Sequence, residues 1–237
     1  MANKNLFMVA NFKMNKTNTE LTEYFSAFPK IPTDYKHTIV FCPAATGLPL
    51  VAKHTGRFHL GAQNLGYAES GAFTGEISAK MITDLGAKYV LIGHSERRAI
   101  FGENDSTVNQ KVKTALQNGL TVILCVGETE AERTAGQTNN VLSRQIKAGM
   151  DGITNSDKII IAYEPVWAIG TGKTATNDDI ATTIGDIKKI VKNIPILYGG
   201  SVNEKNAADI MDISDVAGVL VGGACLVPEK FAQICKL

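Results

Sequence analysis

The sequence predicts a closed (β/α)8 barrel. Short apolar runs alternate with helix-patterned segments from one end of the chain to the other. The runs are apolar on consecutive positions instead of every second one, the pattern of a parallel sheet covered on both faces. The chain has 237 residues, close to the ~250 typical of such a barrel. That length favours closure over the doubly wound open sheet that the same alternation allows. No linker, low-complexity tract or shift in composition divides the chain, so residues 1–237 are expected to form a single domain.

The eight strands are expected at residues 6–11, 38–42, 58–63, 89–93, 121–126, 159–164, 194–198 and 218–221. Helix signals fill the gaps. Thr17 and Glu20 form a capping box ahead of Leu21, Tyr24, Phe25 and Phe28, which are spaced i, i+3, i+4, i+7. Val108, Val112, Ala115 and Leu116 follow Asp105 and Ser106, and Gly119 closes that helix. Asn177 is read as the cap of a helix carrying Ile180, Ile184, Ile187 and Val191, and Asn203 precedes Ala207, Ile210 and Met211.

In a barrel the C-terminal strand ends converge on one mouth. Here those ends are loaded with polar residues and glycines: Asn11-Phe12-Lys13, Gly93-His94-Ser95-Glu96, Glu164, Gly199-Gly200-Ser201 and Gly222-Gly223-Ala224. The glycine turns let a ligand approach the backbone, and their amides suit a phosphate. Taken singly each has an ordinary explanation: a turn, a solvated lysine, a structural histidine, a buried ion-pair partner. Their convergence on one end favours a site with a base, an electrophile, a cation and an anion cradle. Arg98 and Glu103 are expected to pair structurally beside it, and Glu96 to buttress Lys13.

Residues 162–176, AYEPVWAIGTGKTAT, are the most informative stretch. Glu164 ends an apolar run, Pro165 stops the strand because it cannot donate to the ladder, and Gly170-Thr171-Gly172 tips a loop with apolar hinges. A catalytic base with an attached lid has this form. Two other readings fail. A P-loop would need glycine where Trp167 stands, and a dinucleotide fingerprint would have to begin directly after the strand, not at Gly170.

Composition excludes several classes. The chain is 44% hydrophobic and 20% charged with a net charge of +1, so nothing points to nucleic acid or an anionic membrane surface. Cys42, Cys125, Cys225 and Cys235 lack zinc-ligand spacing and read as buried reduced thiols, and His37, His54 and His59 form no ligand cluster. With no signal-peptide pattern or spanning stretch, a cytoplasmic protein is expected.

With these residues laid out, the chain resembles the triosephosphate isomerase family over its full length. The resemblance rests on Asn11-Phe12-Lys13-Met14-Asn15, Ile92-Gly93-His94-Ser95-Glu96-Arg97-Arg98, residues 162–176, Tyr198-Gly199-Gly200-Ser201-Val202 and Val221-Gly222-Gly223-Ala224. The family is itself the type case of the TIM barrel, of lid closure and of a neutral histidine electrophile.

The resemblance implies interconversion of dihydroxyacetone phosphate and D-glyceraldehyde 3-phosphate through an enediolate, a step of glycolysis and gluconeogenesis. It makes Glu164 the base and His94 a neutral electrophile at a helix start. Lys13 becomes the balancing cation, and Asn11 adds a hydrogen bond. It gives Gly170, Ser201, Gly222 and Gly223 backbone contacts to the phosphate, with Ser95 and Glu96 in support. The lid would exclude water. No metal or organic cofactor is implied.

The resemblance also implies a homodimer through the 64–75 loop, with Thr74 reaching the neighbour's site beside Asn11. That loop is long, lacks helical periodicity and carries Leu65, Tyr67 and Phe73. Three departures stand out. Cys225 occupies a position where the family commonly has serine, and only a packing change is expected from it. Met14 bears on subunit contact more than on chemistry. The helices between strands five and six are trimmed. A different phosphosugar enzyme on the same scaffold, or a non-catalytic relative, would be expected to lack Lys13, His94 or Glu164.

Overall fold

The computed structural model describes residues 5–29, 37–54, 56–169 and 174–237. The strands are β1 (Phe7–Asn11), β2 (Thr38–Cys42), β3 (His59–Ala62), β4 (Tyr89–Ile92), β5 (Thr121–Val126), β6 (Ile159–Tyr163), β7 (Ile196–Tyr198) and β8 (Val216–Val221). All pair in parallel with their sequence neighbours, and β8 closes on β1. The helices are α1 (Asn18–Ala27), α2 (Leu48–Val51), α3 (Ala79–Asp84), α4 (Ser95–Phe101), α5 (Asp105–Gln117), α6 (Glu130–Thr134), α7 (Thr138–Gly149), α8 (Asn177–Val191), α9 (Ala207–Asp212) and α10 (Pro228–Cys235).

The consecutive apolar residues of each strand serve two cores. Val9, Val40, Leu91, Ile123, Ile160, Leu197 and Leu220 pack together, with Cys42, Cys125 and Ala162, as one buried cluster. Their strand neighbours Met8, Ala10, Phe41, Val122, Leu124, Ile159 and Ile161 join a larger cluster with the helices. Since successive side chains leave a strand on opposite faces, the first set fills the barrel and the second lies under the helical ring. Each fully buried Leu or Ile removed from water in this way stabilises the fold by roughly 1.5–3 kcal/mol.

Every expected strand is present, with shifts at the ends that have local causes. β8 begins at Val216, two residues earlier than expected. Gly218 is not a break: it sits inside the strand at φ +144°, where a Cβ would stand 2.0 Å from the Phe7 carbonyl oxygen of β1. β7 begins late, at Ile196, because Ile194 still closes the turn onto the Val191 carbonyl. The Thr17/Glu20 capping box is formed. The cap of α8 is Thr176, which makes a capping box with Asp179, so Asn177 is the first helical residue and not the cap. Likewise α5 is capped by Asn104, whose Oδ1 accepts the Thr107 N–H, and Asp105 already lies in the helix. Gly119 stands one residue past the C-cap Asn118, at φ +78°.

The expected Arg98–Glu103 pair is replaced by a crossed arrangement. Glu103 Oε1 takes Arg97 Nε and Lys111 Nζ, each at 2.5 Å. Arg98 instead donates to the Gly93 carbonyl at 2.9 Å and to Asp105 at 2.7 Å. Adjacent helical residues point about 100° apart, so only one of the two arginines of α4 can face Glu103. Burial pushes the Glu103 carboxyl upward, but the Lys111 and Arg97 hydrogen bonds outweigh it and the group lies below its ordinary value. All four cysteines are free and buried, as read from the sequence.

Candidate active site

At the end of β1 the chain turns sharply. Lys13 has φ +50°, a conformation that costs a non-glycine residue on the order of 1–2 kcal/mol. Hydrogen bonds hold it there: its N–H donates to Asn11 Oδ1 at 3.0 Å, and Gln63 Nε2 donates to both the Lys13 and Cys42 carbonyls at 2.9 Å. The turn throws the ammonium across the mouth, where Nζ meets Glu96 Oε1 at 2.5 Å. Glu96 therefore buttresses Lys13, as expected. Asn11 is buried, and Cys225 Sγ donates to its carbonyl at 3.5 Å, so the thiol makes a specific contact and is more than a packing change. Burial pushes the Cys225 thiol well up, which keeps it a donor.

At the end of β4, His94 is the N-cap of α4. Its Nδ1 accepts the Glu96 N–H at 3.2 Å. A nitrogen that accepts carries no proton, so the neutral ring holds its proton on Nε2. That nitrogen stands 3.1 Å from Glu164 Oε1.

Glu164 follows β6 and is 1% exposed. Its N–H continues the ladder to the Val126 carbonyl at 2.8 Å, and its Oε2 accepts the Ser95 N–H at 2.9 Å. Among the described residues Oε1 has no hydrogen-bond partner, because the approach of His94 Nε2 lacks hydrogen-bond geometry. A buried carboxylate oxygen without a partner is costly.

On the far side, β7 and β8 end in glycine turns. Asn206 Nδ2 donates to the Ser201 carbonyl at 3.0 Å and fixes the first of them. A cavity of about 510 Å³ joins the two sides, with Asn11, Lys13, His94 and Glu164 on one wall and Gly199, Gly200, Ser201, Gly222 and Gly223 on the other. The structure thus brings together Asn11, Lys13, His94, Ser95, Glu96, Glu164, Ser201, Gly222 and Gly223. Gly170 lies outside the described residues. Thr74 is exposed, and it does not line the cavity of its own barrel.

Two contributors were not read from the sequence. Gln63 holds the strained Lys13 turn, as above. Glu128, fully buried after β5, accepts from Trp167 Nε1 at 2.9 Å, Tyr163 OH at 3.2 Å and Arg133 at 3.4 Å. Arg133 also lies over the Trp167 ring at 4.6 Å. Glu128 thereby anchors the Val166–Ala168 turn that follows Glu164 and Pro165. The signal in the sequence was the Gly127-Glu128 pair, a glycine and an acid at the C-terminal end of strand five.

A carboxyl, an imidazole and an amine around one cavity, opposite glycine turns, are the groups with which a barrel enzyme can move a proton at a carbon next to a carbonyl. The triosephosphate isomerase family model matches residues 6–237. Proteins described as triosephosphate isomerase are similar along the whole chain. That of Picosynechococcus sp. is 45% identical, with 98% of each chain covered. That of Synechocystis sp. is 44% identical, with 98% of each chain covered. That of Aquifex aeolicus is 45% identical over 96% of this chain and 97% of its own. The chain belongs to the triosephosphate isomerase family.

Proposed function

We infer that the protein interconverts dihydroxyacetone phosphate and D-glyceraldehyde 3-phosphate, a step of glycolysis and gluconeogenesis. The observation that carries the reading is the meeting of Glu164, His94 and Lys13 with the glycine turns around one cavity. The Glu164 carboxylate takes the proton from the substrate carbon, and the electron pair moves onto the carbonyl oxygen to give the enediolate. The same carboxyl returns the proton to the neighbouring carbon. The His94 Nε2–H donates to the developing oxyanion and passes its proton to it, taking back the hydroxyl proton of the adjacent carbon so that the second oxygen becomes the carbonyl. The Lys13 ammonium offsets the charge on the enediolate. Asn11 holds the Lys13 turn and faces the cavity. Backbone amides of Ser201, Gly222 and Gly223, with Gly170, take the phosphate.

The polarising groups are the protein's own, and among the described residues no cluster of His, Cys, Asp or Glu suits a metal. A coupled assay on the purified chain tests the reading: turnover in both directions, unchanged by EDTA. No turnover, or activity that disappears with EDTA and returns with a divalent ion, refutes it.

The chain acts as one domain, and the working unit is a homodimer. Met14, at the mouth, is 96% exposed, and Tyr67 and Phe73 pack edge to face on the exposed 64–75 loop. A cavity of about 350 Å³, lined by Asn11, Lys13, Met14, Gln63, His94 and Glu96 among others, lies open beside the site. The expectation that Leu65 is also an exposed contact does not hold, since it is buried. A second copy inserting its loop, tip first, would cover Met14 and bring Thr74 beside Asn11 across a two-fold. Thr74→Arg would bury an unpaired charge, at several kcal/mol. Gel filtration should then show monomers with most activity gone; a fully active monomer would rule the dimer out as the working unit. A cytoplasmic location accompanies the glycolytic role, and no helix among the described residues is long and apolar enough to cross a membrane.

A further inference from the structure

One buried polar side chain near the mouth has no part in the chemistry above. Gln145, on α7, is 5% exposed. Its amide grips a single residue at the end of β5 twice: Oε1 accepts the Gly127 N–H at 2.8 Å and Nε2 donates to the Gly127 carbonyl at 3.1 Å. The flanking peptides are tied to β6 and its extension, with the Glu164 N–H on the Val126 carbonyl and the Val166 N–H on the Glu128 carbonyl at 3.1 Å. Gly127 lies between these two ties, and Gln145 takes both of its polar groups, supplying what a neighbouring strand otherwise would.

Gly127 also passes close to the Glu164 backbone. A Cβ at this position would stand 1.7 Å from the Glu164 carbonyl oxygen and 3.3 Å from its Cα. The peptide therefore forms the floor on which the Glu164 backbone rests. Behind that floor the protein is not solid. A third cavity, of about 560 Å³, lies on the helix side and is lined by Glu164, Gly127, Gln145, Ser95 and Arg98 among others. That space leaves room for the Gly127 peptide to shift, so its hydrogen bonds to Gln145 help to hold it in place, and a glycine peptide is free to turn once its partner is lost. The next residue, Glu128, holds Trp167, so movement of Gly127 would reach the lid hinge as well.

We propose that Gln145 is a positioning residue for the catalytic base, fixing the height of Glu164 and the start of the lid through the Gly127 peptide. The inference rests on the assignment of Glu164 as the base. Its test is Gln145→Met, which keeps the volume and removes both hydrogen bonds. Three quantities are measured: steady-state kinetics in both directions, competitive inhibition by inorganic phosphate, and thermal unfolding.

A misplacement approaching 1 Å can cost on the order of 10²-fold, so kcat should fall about ten- to a hundredfold. KM and the phosphate inhibition constant, which report the β7 and β8 cradle, should stay within about twofold. A kcat within about twofold of wild type overturns the proposal. So does a matching loss of phosphate affinity, which would mean that the whole mouth has loosened. Should Gln145→Met fail to fold, Gln145→Glu keeps an acceptor for the Gly127 N–H and must show the same split at smaller size; an even loss of kcat and phosphate affinity overturns the proposal there too. A wild-type chain without isomerase activity defeats the base assignment and the proposal together. An active wild type with an equally active variant defeats only the proposal.

Discussion

The two sides of the barrel mouth are made from different parts of the residue. On the side of β1, β4 and β6, side chains face the cavity, and each is held by a named partner: Lys13 by Glu96, His94 by the Glu96 N–H, Glu164 by the Ser95 N–H. On the side of β7 and β8, the wall is Gly199, Gly200, Gly222 and Gly223 with Ser201, and in the proposed function the recognising groups are peptide amides. A side-chain group that faces the cavity can be shortened or removed by substitution. An amide can only be displaced. The first side should therefore answer to mutation in kcat, where interactions formed in the transition state are lost, and the second in KM, where binding common to substrate and transition state is lost.

The largest effect that follows is at Glu164. Glu164→Asp shortens the arm by one methylene, pulling the carboxylate about 1 Å from the proton and away from its Ser95 tether. Turnover should fall on the order of 10²-fold, with KM little changed and an unaltered circular dichroism spectrum. Near wild-type kcat would mean the base lies elsewhere, and an equally large rise in KM would break the division between the two sides.

Gly200→Ala strikes the other side. The added Cβ would stand 2.2 Å from the Tyr198 hydroxyl oxygen and 3.0 Å from Pro165 Cγ. Tyr198 is buried and cannot swing away, so the Gly199–Ser201 turn must move. KM and the inhibition constant of inorganic phosphate should rise together, on the order of tenfold, as when one good hydrogen bond of about 1.4 kcal/mol is lost. A smaller loss of kcat should accompany it because Pro165 begins the lid turn. Unchanged phosphate inhibition would remove Gly200 from the cradle.

The same division decides what the sequence made legible. Strands were readable because a strand covered on both faces must be apolar at every position, and the eight runs say so without reference to their partners. Lys13, His94 and Glu164 were readable because charged and polar types at strand ends are conspicuous. The supports were not. Gln63 and Gln145 act through contacts 50 and 18 residues away along the chain, and no local pattern distinguishes them from a solvated amide; Glu128, 39 residues from Trp167, had only the glycine before it as a signal. The Arg97/Arg98 exchange at Glu103 fails for the same reason, since sequence gives the pair but not the 100° between them. At the α8 cap, Thr176 and Asn177 are both good capping residues, and only the backbone geometry chooses.

The smallest expected effect is also the sharpest test of whether the two sides are separate. Gly222 belongs to the cradle, yet the nearest atom a Cβ there would meet is Lys13 Cε, at 3.3 Å, with Nζ next at 3.9 Å. It is the point where the backbone wall touches the side-chain wall. A contact at 3.3 Å asks a neighbour to give by a few tenths of an ångström, and a lysine stem can do so through its rotatable bonds. Nζ is held at its far end by Glu96, so the stem can bow while the charge stays in place. On that reasoning Gly222→Ala should raise KM about two- to fivefold through crowding of the phosphate and leave kcat within about twofold, because roughly 1 kcal/mol is the cost of a small displacement in a packed wall. If kcat instead drops tenfold or more with KM unmoved, the Lys13 ammonium has shifted with its stem. The cradle would then set the position of the cation as well as bind the phosphate, and the two sides of the mouth would have to be read as one coupled unit.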